Sequence, residues 1–373
     1  MLNKITTQFQ KRLHKKEKFL GIDIGTRDIK MVEIAAKSQT QIISMGRIPT
    51  PQGAVDDGAI VQVDQVADTL RSLVAQSGTQ TRKAVTIISG KNVITRYIKL
   101  PKMSEKEVAS TLKWDADKYI PLSSGTDLII EHLVLGDTVE DGTPQVNVLL
   151  VAVPRRLVYL IHETFAKADL SLTAVEIEPL SLWRSIGSNV TIRTGAAMKR
   201  QDSFIGLDIG AKASNLVVFQ GEELKFSRYI TIGGDELTNR LVKSLNLEFN
   251  AAQLIKERDG RLFIDKEEAL SPEKEKLYLE LREGFFPLVA EIRRSMEFYR
   301  SQFKQSNPQD MIITGGSSKL KGIVDFFQQE LGLTVIPGLQ NFTIQEEAAA
   351  KNHEMNQIDP AFAVAIGLAL REV

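Results

Sequence analysis

The segments FLGIDIG and DIKMVEIAA, residues 19–25 and 28–36, are short aliphatic runs separated by a turn, and QTQIISMGRIP follows at 39–49, so three strands in succession are predicted. The same grammar returns at 203–234, where SFIGLDIGAKASNLVVFQ, a Gly-Glu-Glu turn and LKFSRYITIGG predict a second set of three strands. This is an internal duplication of a hairpin unit, and each copy heads one half of the chain. After the first copy, apolar spacing predicts a helix over Val63 to Ala75, and KAVTIIS (83–89) reads as a buried strand.

A further block starts near Gly90: strand NVITRYIKL, a helix opening at Ser104 with Glu107 in capping-box spacing, strands DLIIEHLVL and QVNVLLVAV, and helix PRRLVYLIHETFAKA. This predicts a small α+β subdomain inserted into the first half, after which LTAVEI (172–177) returns to the parent sheet. In the second half, helices are expected after Gly234, through AAQLIKERDG, and from Pro272 to Phe303. DMIITGG reads as a strand, SKLKGIVDFFQQEL as a helix, and PAFAVAIGLAL as a closing apolar helix. The expected organisation is a tail at 1–18, a first core at 19–89 and 174–190, and the insert at 90–173. A linker at 191–202 then leads to a second core at 203–235 and 310–373, with a helical subdomain at 236–309. Strands alternating with helices in both halves make the fold class α/β, two domains facing each other across a cleft.

Composition narrows the function. Forty-seven basic residues balance forty-seven acidic ones in 373, which gives no case for nucleic acid as a partner. The absence of cysteine excludes disulfides, thiolate nucleophiles and cysteine metal sites, and fits a cytoplasmic setting. No apolar run reaches the roughly 18 residues of a spanning helix. The head MLNKITTQFQKRLHKKEKF is strongly basic, with Leu2, Ile5, Phe9 and Leu13 on one helical face; it reads either as a surface for anionic lipid or a partner, or as a solvated tail. Trp114 and Trp183 are expected in the core.

The two Asp-Ile-Gly turns carry the candidate chemistry. A tight turn at Gly25 exposes backbone N–H groups as a nest for phosphate oxygens, and Lys30 adds a positive charge. Asp23 would repel phosphate unless a divalent cation with its waters lies between them. Asp208, Gly210 and Ser214 repeat the pattern. One Asp-x-Gly is also what a plain hairpin turn needs; a single symmetric phosphate clamp explains two. TGGSSKLKG (314–322) offers Gly315 and Gly316 for close approach to a flat ring, or a capped strand-to-helix turn. Glu178, before Pro179, is placed to orient a water or to complement a helix dipole.

These elements in this order (DIGTRDIK, EPLSLWRSIG, DIGAKASN, TGGSSKLKG and FAVAIGLAL) resemble the actin, Hsp70 and sugar-kinase superfamily. The insert lies where FtsA has its variant subdomain, and YIKLPKMSEKEVASTLKWDADKYIPLS with EIEPLSLWRS resembles the PilM family of type IV pilus assembly. The resemblance implies an actin-like, ribonuclease H-like duplicated ATPase fold that binds ATP or ADP with Mg2+ in the cleft. It places Gly25, Thr26, Arg27 and Lys30 on one side of the phosphates and Gly210, Ala211, Lys212 and Ser214 on the other. It puts Gly234, Lys256, Glu257, Gly315, Gly316, Ser317 and Lys319 around the nucleoside. Asp23 and Asp208 would bracket the metal, mostly through water, and Glu178 would take the place of the water-polarising acid, with slow hydrolysis at most because Lys212 is bulky. The implied partners are the cytoplasmic N-terminal peptide of PilN, held between the first core and the insert, and other platform and motor components at the inner face of the cytoplasmic membrane, with self-association a further option. A small-molecule kinase and an FtsA-like polymerising protein are the alternatives.

Overall fold

The computed structural model describes residues 18–36, 40–115, 118–120, 127–187, 203–221, 223–262, 271–303, 306–339, 343–344 and 358–371. The basic head up to residue 17 and the linker at 191–202 lie outside the described residues.

The first hairpin unit is β1 (Leu20–Ile24), β2 (Asp28–Ala36) and β3 (Thr40–Pro49), all antiparallel. A small hairpin, β4 (Val55–Asp56) with β5 (Ala59–Ile60), leads into α1 (Val63–Ser77) and β6 (Lys83–Ile88). The inserted subdomain holds β7 (Ile94–Pro101), α2 (Glu105–Asp115), β8 (Leu128–Glu140) and β9 (Thr143–Pro154), and is followed by α3 (Arg155–Lys167), β10 (Ser171–Ile177) and α4 (Glu178–Ile186). The capping box is formed: the Ser104 backbone N–H donates to Glu107 Oε2 at 2.7 Å, and the Glu107 N–H donates to Ser104 Oγ at 3.4 Å.

The second unit is β11 (Ser203–Ile209), β12 (Ser214–Gln220) and β13 (Glu223–Ile230). Next come α5 (Gly234–Leu245), α6 (Phe249–Asp259), α7 (Pro272–Gln302), β14 (Asp310–Thr314), α8 (Ile323–Leu331), β15 (Thr334–Pro337), β16 (Thr343–Ile344) and α9 (Ala363–Ala369).

The six-stranded sheet runs β10-β6-β1-β2-β3-β16, the five-stranded sheet β13-β12-β11-β14-β15, and the inserted sheet β7-β9-β8. In each large sheet the hairpin's first strand is flanked by a parallel strand, β6 beside β1 and β14 beside β11, so both Asp-Ile-Gly turns sit at carboxyl ends of parallel strands. That is where open α/β sheets place ligands.

Packing redraws several expected boundaries. The inserted core contains Leu100, Val108, Leu112, Val146, Val148 and Leu150, whereas Leu157, Ile161 and Phe165 of α3 pack into the first core, so the insert closes at β9. Residues 343–344 and α9, expected in the second core, join the first: β16 pairs with β3, and α9 lies on α4, β1 and β2. The approach is close enough to demand glycine, since a Cβ at Gly21 would meet Ala365 O at 2.1 Å and one at Gly367 would meet Ser181 O at 1.8 Å. The described helices α5, α6 and α7 of the expected helical subdomain share one hydrophobic core with β11, β12 and β14. Trp114, expected inside, is 78% exposed on α2, while Trp183 packs against the first core.

Candidate functional site

The two duplicated turns close in the same way. Gly25 N–H donates to Asp28 O at 3.1 Å, and Gly210 N–H donates to Ala213 O at 2.9 Å. In the first hairpin the register sets Asp23 opposite Lys30; in the second it sets Asp208 opposite Asn215. Both turns open into one cleft of about 840 Å³, within the usual range for small-molecule sites.

Seventeen of the residues singled out from the sequence line this cleft: Asp23, Gly25, Thr26, Arg27, Lys30, Glu178, Asp208, Gly210, Ala211, Lys212, Gly234, Lys256, Glu257, Gly315, Gly316, Ser317 and Lys319. Ser214 does not. It is fully buried, and its hydroxyl donates to Ile232 O at 2.7 Å, tying β12 to the chain beyond β13. The helix expected directly after Gly316 is also displaced. A four-residue 3-10 turn, Gly316–Lys319, stands there, and α8 begins only after Gly322, whose φ of +75° breaks the run. Gly315 and Gly316, which line the cleft, therefore belong to a tight turn and not to a helix N-terminus, and the Gly315 N–H is taken by Pro360 O at 3.0 Å.

The electrostatics centre on three buried carboxylates. Asp23 accepts from Lys30 Nζ at 2.8 Å, with both side chains about nine-tenths buried. Burial opposes the ammonium charge, but the Asp23 carboxylate and its hydrogen bond prevail and hold Lys30 above its ordinary pKa. Asp208 accepts from Thr314 Oγ1 at 2.8 Å; burial, with the Asp23 charge nearby, pushes its carboxyl up to about 6. Glu178 is the first residue of α4, next to Pro179, and is held well above the ordinary carboxyl range by burial and by the charges of Asp208 and Asp23. Asn215 hydrogen-bonds Glu178 and works against that rise. One ammonium thus faces three carboxylates. Among the described residues no three His, Cys, Asp or Glu side chains are grouped closely enough to hold a metal ion directly.

Several lining residues are already engaged across the cleft. Arg27, from the first turn, donates to Asp235 Oδ1 at 2.9 Å and to Gln253 Oε1 at 3.3 Å, with its guanidinium 4.8 Å from the centre of the Phe249 ring. Lys212, from the second turn, reaches Asp56 Oδ1 at 2.5 Å. Lys319 donates to Asp359 Oδ2 at 2.8 Å, the same oxygen that accepts from Arg47 at 3.2 Å. Lys256 is buried, donating to Gly234 O at 2.7 Å and to Thr238 Oγ1 at 2.8 Å, and burial lowers its pKa to about 8. These four cations sort into two cross-cleft ties, one tie of the Gly316–Lys319 turn to the approach to α9, and one internal strut of α5 and α6.

Sequence reasoning missed Asn215, Asp235, Gln253, Asp57 and Tyr229, all of which line the cleft. Asn215 was within reach, because superposing the two hairpins sets it where Lys30 stands in the first. The others carry no local signal.

The sequence matches the family model described as "Type IV pilus assembly protein PilM" over residues 21–373. Among curated proteins, the cell division protein FtsA of Streptococcus pneumoniae is 22% identical, covering 94% of this chain and 79% of that protein; FtsA of Bacillus subtilis is 19% identical, covering 86% and 78%. Among solved structures, a PilM-PilN type IV pilus biogenesis complex superposes with a TM-score of 0.79 at 27% identity, covering 96% of this chain and 99% of that one. MreB5 of Spiroplasma citri bound to ADP superposes with a TM-score of 0.52 at 10% identity, covering 94% of each chain, a likeness of fold.

Proposed function

The chain belongs to the PilM family of type IV pilus assembly proteins and has the actin-like fold, and on that footing we propose that it binds ATP or ADP with Mg2+ in the cleft and serves as a nucleotide-dependent scaffold. The single observation that carries this reading is the convergence of two equivalent turns, closed by matching hydrogen bonds, on one cavity from opposite walls. A Cβ at Gly25 or at Gly210 would stand 2.9 Å from a carbonyl of its own turn, so each cradle accepts only glycine without adjustment. The N–H groups of Gly25 and Gly210 close their own turns, so the phosphate oxygens would be met by the backbone of the turn residues that follow them along the cleft wall, Thr26 and Arg27 on one side and Ala211 and Lys212 on the other.

The donor set fits a divalent cation. Asp23, Asp208 and Glu178 carry more negative charge than Lys30 offsets; the raised pKa values of Asp208 and Glu178 come first from burial and then from their neighbouring carboxylates. Asp23 and Asp208 would hold Mg2+ through water, and the bound ion would offset the charge of the phosphates. Lys30 would serve the same phosphates while remaining paired with Asp23. Gly234, Lys256 and Glu257 on one wall, with Gly315, Gly316 and Ser317 on another, would hold the nucleoside. Glu178, kept in place by Asn215, is the residue that would orient a water. With Lys212 tied to Asp56 beside it, turnover is slow at most. Titrating the full chain with ATP, in Mg2+ and in EDTA, tests the reading: binding should be stoichiometric, Mg2+-dependent and indifferent to added sugars. Turnover stimulated by a sugar acceptor would favour a small-molecule kinase instead.

For the partner, the solved relative is a complex with PilN. We extend this to the present chain: the cytoplasmic N-terminal peptide of PilN would lie between the first core and the inserted subdomain, bringing the protein to the inner face of the cytoplasmic membrane. No helix among the described residues is long and apolar enough to cross a membrane. Motor and further platform components, and self-association, would build on that complex. Calorimetry with a peptide of that sequence, competed by substitutions on α2 such as Trp114→Ala, tests the site; undiminished binding in every variant would remove it from the insert.

A further inference from the structure

The inserted subdomain leaves the first core at Gly90 and has its own small core; Leu149 and Val153 of β9 also join the first core, and further side-chain ties run to the second half. The anchor strand is β13, the outermost strand of the second sheet. Tyr229 of β13 donates its hydroxyl to Asp57 Oδ1 at 2.6 Å, and the other oxygen of that carboxylate accepts the backbone N–H of Lys91 at 3.2 Å, one residue past the root of the insert. The root is pressed against the same residue: Gly90 has a φ of +100°, and a Cβ there would lie 1.9 Å from Asp57 O. Two positions back on β13, so on the same face, Ser227 Oγ accepts from the Tyr97 hydroxyl of β7 at 3.0 Å. The Tyr97 ring stacks at 6.5 Å on Phe226, which in turn packs at 5.8 Å against Phe298 of α7. At the start of β13, Glu223 lies beside β8, 3.7 Å from where a Cβ on Gly136 would stand.

One end of this line lies in the cleft, because Asp57 and Tyr229 are part of its wall. We infer that β13 transmits closure of the cleft to the inserted sheet, with Tyr97, Ser227, Tyr229 and Asp57 as the connecting side chains. The inference rests on the nucleotide reading of the cleft. A ligand that draws the halves together holds Tyr229 on Asp57 and Tyr97 on Ser227, which orders β7 and β9; when the halves part, the insert loses its ties to β13 and keeps those to the first core, through Lys91 and Asp57 and through Leu149 and Val153 of β9. Ligand in the cleft and order in the insert are then linked in both directions, because each favours the same arrangement of the halves.

Hydrogen exchange on the full chain, with and without Mg-ATP, tests this. In the wild type, nucleotide should slow exchange at the two Asp-Ile-Gly turns and also, by about fivefold or more, at β7 and β9. In Tyr97→Ala the turns should keep their protection while β7 and β9 lose theirs. Ser227→Ala, which leaves the sequence of the insert untouched, should reduce the effect in the same direction, and Tyr97→Phe should keep part of it through the ring. Protection of the turns with none in the wild-type insert, or equal protection of the insert in all four proteins, overturns the coupling and leaves the nucleotide site standing. No protection at the turns in the wild type overturns the nucleotide reading itself, and this inference with it.

Discussion

The two walls of the cleft use the same backbone and different charges. In the first turn the buried aspartate has a cation of its own, Lys30, 2.8 Å away across the hairpin. In the second turn the register position of that lysine holds Asn215, and among the described residues Asp208 accepts from a threonine hydroxyl and no cation. A duplicated hairpin therefore diverged in electrostatics while keeping its turn. One wall is neutralised internally, and the other holds a carboxylate whose charge costs free energy until something positive arrives.

That contrast can be broken in graded ways. The largest effect is expected from Lys30→Met, which strands a buried carboxylate on the first wall; unfolding in urea should show a loss of about 3–5 kcal/mol, the usual cost of removing one partner from a buried pair. Next is Lys256, also buried but facing a carbonyl and a hydroxyl instead of a carboxylate. Its pKa falls from 10.5 unfolded to about 8 folded, so between those values the unfolded chain binds more protons and stability rises with pH. Below the lower value the cost of the buried charge is fully present. Lys256→Met should remove that rise, on the order of 3 kcal/mol across the window, as read by denaturation at a series of pH values against the wild type.

Asp208→Asn sharpens the comparison directly. In EDTA at neutral pH it should stabilise the protein by about 2 kcal/mol, because the folded state disfavours the charge it removes. Asp23→Asn should destabilise it by leaving Lys30 without its carboxylate. Opposite signs from the same substitution on the two walls are the expected outcome, and a thermal melt of each variant measures them. The smallest effect belongs to Lys212→Ala. The Lys212 and Asp56 side chains are 46% and 69% exposed, so their pair contributes less than about 1 kcal/mol, and the melt should hardly move, more so in high salt.

Local chemistry accounts for what was legible. The strands of both hairpins, the Ser104 capping box and the long helix from Pro272 are specified by residues within a few positions of one another. The convergence of the two turns followed from recognising one hairpin twice. Arg27 shows the limit: the resemblance implies a place beside the phosphates, and nothing local foretells that its guanidinium also meets Asp235 and Gln253, more than 200 positions away. Ser214 follows the turn and so suggests a cleft donor, whereas strand alternation, which gives Asn215 to the cleft, turns Ser214 to the other face, where its hydroxyl donates to Ile232 O. Trp114 was placed inside on hydrophobicity alone, and α3 was placed in the insert because it follows β9 in the chain.

The sequence by itself determined the duplicated hairpins, their glycine turns, the acids that end β1 and β11, and the periodicity of most helices, because turns, caps and alternation act over one to four residues. Only the tertiary structure decided which half each helix would join, which cations would cross the cleft, and that β13 would meet the insert. Those outcomes depend on how two sheets and their helices fit together, and residues so far apart in the chain leave no pattern in it.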